Sequence, residues 1–265
     1  MADHPRLLYL ITEDWYFWSH RLDLARAARE AGYNVIVATR VTDHGERIRG
    51  EGFQLEPLEM VRRSRNPFRE VIAVAELVRL YRRVNPDVVH HVAMKPILYG
   101  SLAAWLTRVP SVINAFAGLG YAFMDERNGL LRWCVKTAFR TVLRVSHSVV
   151  LVQNQDDQDR LVGEGVVPAS QMRVIAGSGI DIAAYSMQPQ TSGIPVVVLP
   201  GRMLWDKGVG EFVEAARQLK QKGVHVRFIL VGRRDEHNPA AIPEICLKEW
   251  VQEGVVEWWG HREDM

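Results

Sequence analysis

The sequence predicts an α/β protein built on parallel sheets, and three observations carry that expectation. Short β-branched runs alternate with longer helical stretches along the whole chain. Gly32, Asn66-Pro67 and Asn85-Pro86 punctuate the helical stretches, and 48% hydrophobic with 24% charged residues over 265 positions supports a sizeable core. Such alternation puts helices on both faces of each sheet and ligands in crevices at the carboxyl ends of the strands.

The expected strands are 7–11, 35–38, 53–58, 87–91, 111–115, 148–152 and 172–176, followed by 196–199, 226–231 and 255–259. A helix begins near Arg21 and is closed by Gly32. Asn66-Pro67 supplies a cap and a first-turn proline for a helix that runs to Val84, where Asn85-Pro86 stops it. From Gly129 to Val145, Arg132, Lys136, Arg140 and Arg144 recur every four residues among Leu131, Trp133, Val135, Phe139, Val142 and Leu143. This stripe fits docking on anionic lipid, and equally a core-facing helix with a solvated basic side. Asp157-Gln158-Asp159 reads as the capping and solvation of a helix running to Glu164 rather than as a metal motif.

The polar stretch Ser186 to Gly193 marks a seam, dividing the chain into a domain at 1–185, a linker at 186–194 and a second domain at 195–265. About seven strands precede the seam and three follow it, so the second domain reads as incomplete.

Cys134 and Cys246 have no metal-ligand or disulfide-framework spacing. No signal peptide or membrane-spanning run is visible, which leads to an expected cytoplasmic location. Residues 1–150 carry 21 Lys/Arg against 15 Asp/Glu and residues 151–265 carry 12 against 16, so the net charge of +2 hides a basic first half. Much of the excess lies in Arg62, Arg63, Arg65, Arg69, Arg79, Arg82 and Arg83. It suits an anionic partner such as a lipid headgroup or a pyrophosphate-linked substrate, or simply a solvated helix face; no nucleic-acid partner is expected.

Residues 196–210, Val-Val-Val-Leu-Pro-Gly-Arg-Met-Leu-Trp-Asp-Lys-Gly-Val-Gly, combine a buried-strand pattern, a Gly turn, two cations and a helix start. The turn brings backbone N–H groups to a sheet edge, Arg202 can fork two hydrogen bonds to phosphate, and Lys207 adds a compact charge. A surface strand-turn-helix with solvated charges is the other reading of the same residues.

Several segments then occur in a characteristic order. They are Ser19-His20-Arg21, His90-His91-Val-Ala-Met-Lys95-Pro96 with Tyr99-Gly100, Gly118-Leu-Gly120-Tyr121, Gln153-Asn154, Gly177-Ser178-Gly179-Ile-Asp181, and Gly201-Arg202 with Asp206-Lys207-Gly208. On these segments the chain resembles the family-4 retaining glycosyltransferases of the GT-B fold, within them the bacterial enzymes that build surface polysaccharide on a lipid carrier. The resemblance implies two Rossmann-like domains facing across a cleft, the first for the acceptor and the second for a nucleotide sugar. It makes Arg202 and Lys207 the catalytic cations that take up charge on the departing diphosphate, with no metal needed. Gly201, Gly232, Arg233 and His261 join them as donor contacts, and His20, His91, Lys95, Gly118 and Gly120 fall on the acceptor side, His91 and Lys95 emerging from a strand end into a loop.

Three departures stand out. Where many relatives begin the first loop with Gly-Gly, this chain has Glu13-Asp14-Trp15-Tyr16-Phe17-Trp18, so either the loop moves back or the rings form an acceptor platform. Where many carry a histidine after the fifth strand, it has Ala117-Gly118. The family's two glutamates eight apart would fall beyond Met265, which is read as a cut inside the donor domain. The expected function is transfer of a hexose or N-acetylhexosamine, with retention, from a nucleoside diphosphate to a polyprenyl-pyrophosphate-linked or other sugar acceptor, on the inner face of the membrane where the basic surface engages it. A non-catalytic subunit that holds a glycolipid or partner is the alternative. A nicotinamide oxidoreductase is disfavoured because no Gly-rich turn follows the first strand.

Overall fold

The computed structural model describes residues 4–60, 67–119, 129–146, 148–187, 189, 192–235 and 238–262. The chain forms two compact units, Met1–Asp181 and Ile182–Met265.

In the first unit, strands β1 (Arg6–Glu13), β2 (Asn34–Arg40), β3 (Gln54–Pro57), β4 (Val88–Val92), β5 (Ser111–Ala115), β6 (Val149–Val152) and β7 (Met172–Val174) form one parallel sheet in the order β3-β2-β1-β4-β5-β6-β7. The helices are α1 (Asp14–His20), α2 (Leu22–Glu30), α3 (Gly45–Gly50), α4 (Pro67–Val84), α5 (Met94–Thr107), α6 (Gly129–Val145) and α7 (Gln155–Gly163). The strand order reverses direction between β1 and β4, and a doubly wound sheet opens its crevice at such a reversal.

Alternation along β1 explains the two-sided core, since successive side chains of a strand point to opposite faces. Leu8 and Leu10 pack with Leu77, Leu80 and Tyr81 of α4 and with Ala103 and Ala104 of α5. Leu7, Tyr9 and Ile11 pack with Phe17 of α1, Leu22 and Ala25 of α2 and Ile48 of α3. Phe139 and Leu143 of α6 and Leu161 of α7 close a further cluster against Val150 and Val152.

The expected aromatic loop at 13–18 is instead the start of α1, which follows β1 without a break. Phe17 is fully buried, with its ring edge-on to Tyr9 and Phe53, so this ring is core and not an acceptor platform. The turn that a Gly-Gly pair makes in relatives is replaced by a latch. The buried carboxylate of Asp14 accepts hydrogen bonds from the backbone N–H of Trp15 (2.8 Å), Thr42 (2.7 Å) and His44 (2.9 Å) and from the Thr42 hydroxyl (2.6 Å). Burial by itself raises a carboxyl pKa, but the bonds from Thr42, His44 and Trp15 outweigh it and hold Asp14 below the usual carboxylate range. The exits of β1 and β2 are thereby tied together at the carboxyl edge.

Two cations of the α6 stripe, Lys136 and Arg140, are engaged within their own unit, while Arg140 and Arg144 are exposed. Lys136 pairs with Glu164 at 2.7 Å, and Arg140 donates to the carbonyls of Gly165 (2.7 Å) and Glu164 (3.1 Å), at the end of α7. Those two cations bind the helix terminus next to them. Arg62, Arg63 and Arg65 lie outside the described residues.

The second unit is a parallel sheet of β8 (Val196–Pro200), β9 (Arg227–Val231) and β10 (Glu257–Trp258) in the order β10-β9-β8, with helices α8 (Val209–Gln221) and α9 (Glu244–Gln252). Its core joins Val209, Val213 and Ala216 of α8 to Phe228 and Leu230 of β9 and to Leu247 and Trp250 of α9. The expectation that the valine run would be buried is corrected: Val196, Val197 and Val198 are 41–46% exposed. β8 is the edge strand of this sheet, so its valines meet a neighbouring strand on one side only.

The carboxyl ends of β8, β9 and β10 are stitched together by glycine backbone. The N–H of Gly201 donates to the Val231 carbonyl (2.8 Å), the N–H of Gly232 donates to the Gly260 carbonyl (2.6 Å), and the Trp258 indole N–H donates to the Gly232 carbonyl (3.0 Å). A Cβ at Gly232 would stand 1.8 Å from the Gly201 oxygen, and the backbone there has φ +146. Only glycine fits.

Two predictions follow from these junctions. Asp14→Ala leaves buried N–H donors unpaired and should destabilise the first unit by about 2–4 kcal/mol at neutral pH. Because the native pKa is depressed, that difference should hold above about pH 4 and close as pH falls through Asp14's native value, as read by urea unfolding at several pH values. An unchanged midpoint at pH 7 would contradict the latch. Gly232→Ala should cost the second unit about 1–3 kcal/mol or more through strain, seen as a lowered denaturation midpoint with the first unit unaffected.

Candidate active site

The residues expected to contact the donor all sit on the edge that these glycines build. Gly201 and Arg202 directly follow β8, Gly232 and Arg233 directly follow β9, and His261 comes three residues after β10. Parallel strands deliver all three exits to one edge of the sheet. Lys207 closes a single 3-10 turn, Trp205–Lys207, and Gly208 in left-handed conformation then opens α8. Arg202, Lys207, Arg233 and His261 are all exposed. The backbone holds the strand exits in register, with the Met203 N–H donating to the Arg233 carbonyl at 3.2 Å.

Arg202 is held by a partner that sequence reasoning missed. Its Nη1 donates to Asp235 Oδ2 at 2.8 Å, with the Arg202 side chain 49% exposed. An ion pair this open contributes about 0–1 kcal/mol. It therefore orients the guanidinium while leaving it exchangeable for a stronger anion. Lys207 makes no ion pair among the described residues. Nothing in the spacing of Arg233-Arg234-Asp235 marked the acid in advance, because its partner lies 33 residues earlier.

On the first unit the expected acceptor residues separate. His91 does not emerge into a loop; it lies inside β4, fully buried. Its Nδ1 donates to Asn114 Oδ1 at 2.8 Å and its Nε2 accepts from the Tyr81 hydroxyl at 2.9 Å, while the Ser101 hydroxyl also donates to Asn114 Oδ1 at 3.1 Å. Burial pulls the imidazole pKa down to about 4 against the raising effect of the Asn114 bond, so His91 is a neutral crosslink between sheet and α4. Gly100 of α5 makes room for it, since a Cβ there would lie 2.6 Å from His91 Nε2.

Lys95 likewise lies in the first turn of α5 rather than in a loop. It bridges to Glu70 of α4 at 2.8 Å and faces the Tyr99 ring at 5.7 Å. His20, at the end of α1, remains available: it is exposed, with Nδ1 2.6 Å from the Ser19 hydroxyl and its ring stacked 4.4 Å from Tyr16. Partial burial and then the neighbouring Arg21 charge lower its pKa, which favours the neutral imidazole at pH 7. Gly118 is exposed just beyond β5, and Gly120 lies outside the described residues.

Chemically, the second unit presents two exposed cations and the N–H groups of a helix start at one sheet edge, an arrangement suited to a diphosphate. The first unit presents an accessible imidazole with a lowered pKa at the end of α1, the helix that follows its first strand.

Residues 6–150 match the family described as glycosyl transferase 4-like. Over 260 residues the chain is 25% identical to a Campylobacter jejuni enzyme, N,N'-diacetylbacillosaminyl-diphospho-undecaprenol alpha-1,3-N-acetylgalactosaminyltransferase, with 92% of this chain and 66% of that protein covered. The chain thus spans just under two thirds of that relative's length. A glycosyltransferase structure from Rickettsia africae superposes with TM-score 0.69 at 17% identity, over 99% of this chain and 70% of that one. HepE of Anabaena, crystallised with UDP and glucose, gives TM-score 0.69 at 18% identity, over 98% of this chain and 70% of that one. These likenesses show the fold as GT-B, two units of parallel sheet with flanking helices. With more than half of its length matched by the family, this chain belongs to the glycosyl transferase 4-like proteins.

Proposed function

We propose that the chain transfers a hexose or N-acetylhexosamine from a nucleoside-diphosphate sugar to a lipid-linked or oligosaccharide acceptor, with retention at the anomeric carbon. In this reading the first unit, ending near the 186–194 linker, holds the acceptor and the second holds the donor. The observation that carries it is the gathering of Gly201, Arg202, Gly232, Arg233 and His261 on the exits of three parallel strands, beside Lys207 at the start of α8. Support for the substrate classes comes from the relatives: one transfers N-acetylgalactosamine to an undecaprenyl-diphosphate-linked sugar, and HepE was crystallised with UDP and glucose.

The reaction breaks the bond between the anomeric carbon and the diphosphate oxygen and forms a bond from that carbon to an acceptor hydroxyl oxygen. The hydroxyl proton leaves to a departing phosphate oxygen or to a nearby base. Negative charge grows on the diphosphate as the bond stretches, so cations already in place lower the barrier without reorganising. Arg202 exchanges Asp235 for the diphosphate, Lys207 supplies the second charge, and the α8 start adds N–H groups. His20 is the accessible neutral imidazole on the acceptor side.

A lipid-linked acceptor also accords with α4, whose first turns leave Phe68, Val71 and Ile72 62–79% exposed at helical spacing. No helix among the described residues is long and apolar enough to cross a membrane, so contact with lipid would be peripheral.

Arg202→Ala and Lys207→Ala should each lower the transfer rate by at least ~100-fold, the effect of losing one transition-state donor. Rates with a radiolabelled UDP-sugar and a polyprenyl-diphosphate-sugar acceptor test this. Unchanged rates would remove the two cations from the mechanism.

A further inference from the structure

The first unit contains a buried cation that the donor chemistry does not use. Arg21, at the junction of α1 and α2, is only 7% exposed. Its Nη1 donates to the His20 carbonyl at 3.0 Å, its Nε has no hydrogen-bond partner, and among the described residues no carboxylate pairs with it. His90 of β4 is 5% exposed, and its Nε2 is a second buried polar atom without a partner. The two belong to one neighbourhood: the Arg21 charge acts on both His90 and Tyr9, and the Tyr9 and His90 rings lie 5.1 Å apart as register partners across β1 and β4.

An isolated guanidinium is among the most costly groups to bury. Not every buried polar group of this unit is satisfied, since Asn114 Nδ2 and Ser148 Oγ also lack a partner, but Asp14 and His91 are. Asp14 accepts four hydrogen bonds, and His91, next to His90 in sequence, has both ring nitrogens engaged. Among the buried charged side chains described, Asp14 is satisfied and Arg21 has no ionic partner. His90 lies on β4 beside Tyr9 of β1, the strand pair at which the sheet order reverses. A guanidinium N–H and an imidazole N–H in one neighbourhood can be satisfied together by a single anionic oxygen, and a neutral His90 can carry its proton on Nε2.

We propose that Arg21 and His90 form an oxyanion site in the first unit that takes a phosphate oxygen of a diphosphate ester. This rests on the acceptor role assigned to that unit and names the group recognised there, the diphosphate of a lipid-linked acceptor. The Tyr9 ring lies against His90, and His20, one residue from Arg21, is an exposed imidazole.

The test separates this site from the donor site by working in the Arg202→Ala/Lys207→Ala double variant of the full chain. Geranyl diphosphate, inorganic pyrophosphate and inorganic phosphate are titrated by calorimetry, and UDP binding is measured separately on the single-site chains. Geranyl diphosphate should bind the double variant, and adding Arg21→Met or His90→Leu should weaken it by at least ~10-fold, the scale of one lost charged hydrogen bond. Arg21→Met alone should leave UDP affinity intact. Tighter binding of geranyl diphosphate than of inorganic pyrophosphate assigns the site to an acceptor ester; equal binding assigns it to free diphosphate and removes the acceptor link.

A stability measurement guards against a purely structural arginine. Without ligand, Arg21→Met should melt at the same temperature as the parent or higher, because it removes an unpaired buried charge. A lower melting temperature, or geranyl diphosphate affinity unchanged by both substitutions, would overturn the site. An Arg21→Met chain that does not fold overturns the site in the same way.

Discussion

Parallel pairing of every strand is the constraint on which the rest of this molecule depends. It sends all strand exits of a unit to one edge, and there the chain must turn, start helices and satisfy the groups that the turns leave unpaired. In the first unit this edge is secured by the Asp14 carboxylate, which ties the exits of β1 and β2. In the second it is secured by Gly201, Gly232 and Gly260, whose backbones touch across three strands. Chemistry in either unit is built on those fixed edges, so the supporting residues matter as much as the cations they position.

The polar groups buried near these edges divide by whether they have partners. Asp14 and His91 are fully engaged, and each fastens one element to another: Asp14 joins two strand exits, while His91 joins the sheet to α4 through Tyr81. Arg21 and His90 have the same burial without the same partners. Arg202 is the intermediate case, paired with Asp235 at an exposed site where the pair can be exchanged at little cost. Partnered groups hold the fold, and groups with weak or missing partners are where a ligand changes the balance.

Much of the architecture was legible from the chain. Each of the ten expected strands overlaps an observed one, because short β-branched runs between helical stretches are a local signal that a parallel sheet does not override. The helix from Pro67 to Val84 has the ends its proline and Asn85-Pro86 announce. What was not legible depended on neighbours distant in sequence. Val196–Pro200 has the composition of an inner strand, and only the sheet order makes it an edge. Residues 13–18 read as a loop because β1 passes into α1 with no breaker, and the donors that hold Asp14, Thr42 and His44, lie at another strand's exit.

The candidate site shows the same division. Arg202 and Lys207 stand where their Gly-rich context put them, since that context is local. His91 and Lys95 were misplaced because a histidine at a strand end looks alike whether it faces solvent or a Tyr–Asn pair 10 and 23 residues away. Arg21 and His90 were visible as parts of motifs, but their lack of partners became visible only with the packing around them. The central claim is that Arg202 and Lys207 receive the donor's diphosphate. A crystal structure of the chain with UDP tests it most directly: the account predicts the diphosphate bound by both cations, with the Arg202–Asp235 contact broken. Diphosphate bound elsewhere, with Arg202 still on Asp235, would contradict it.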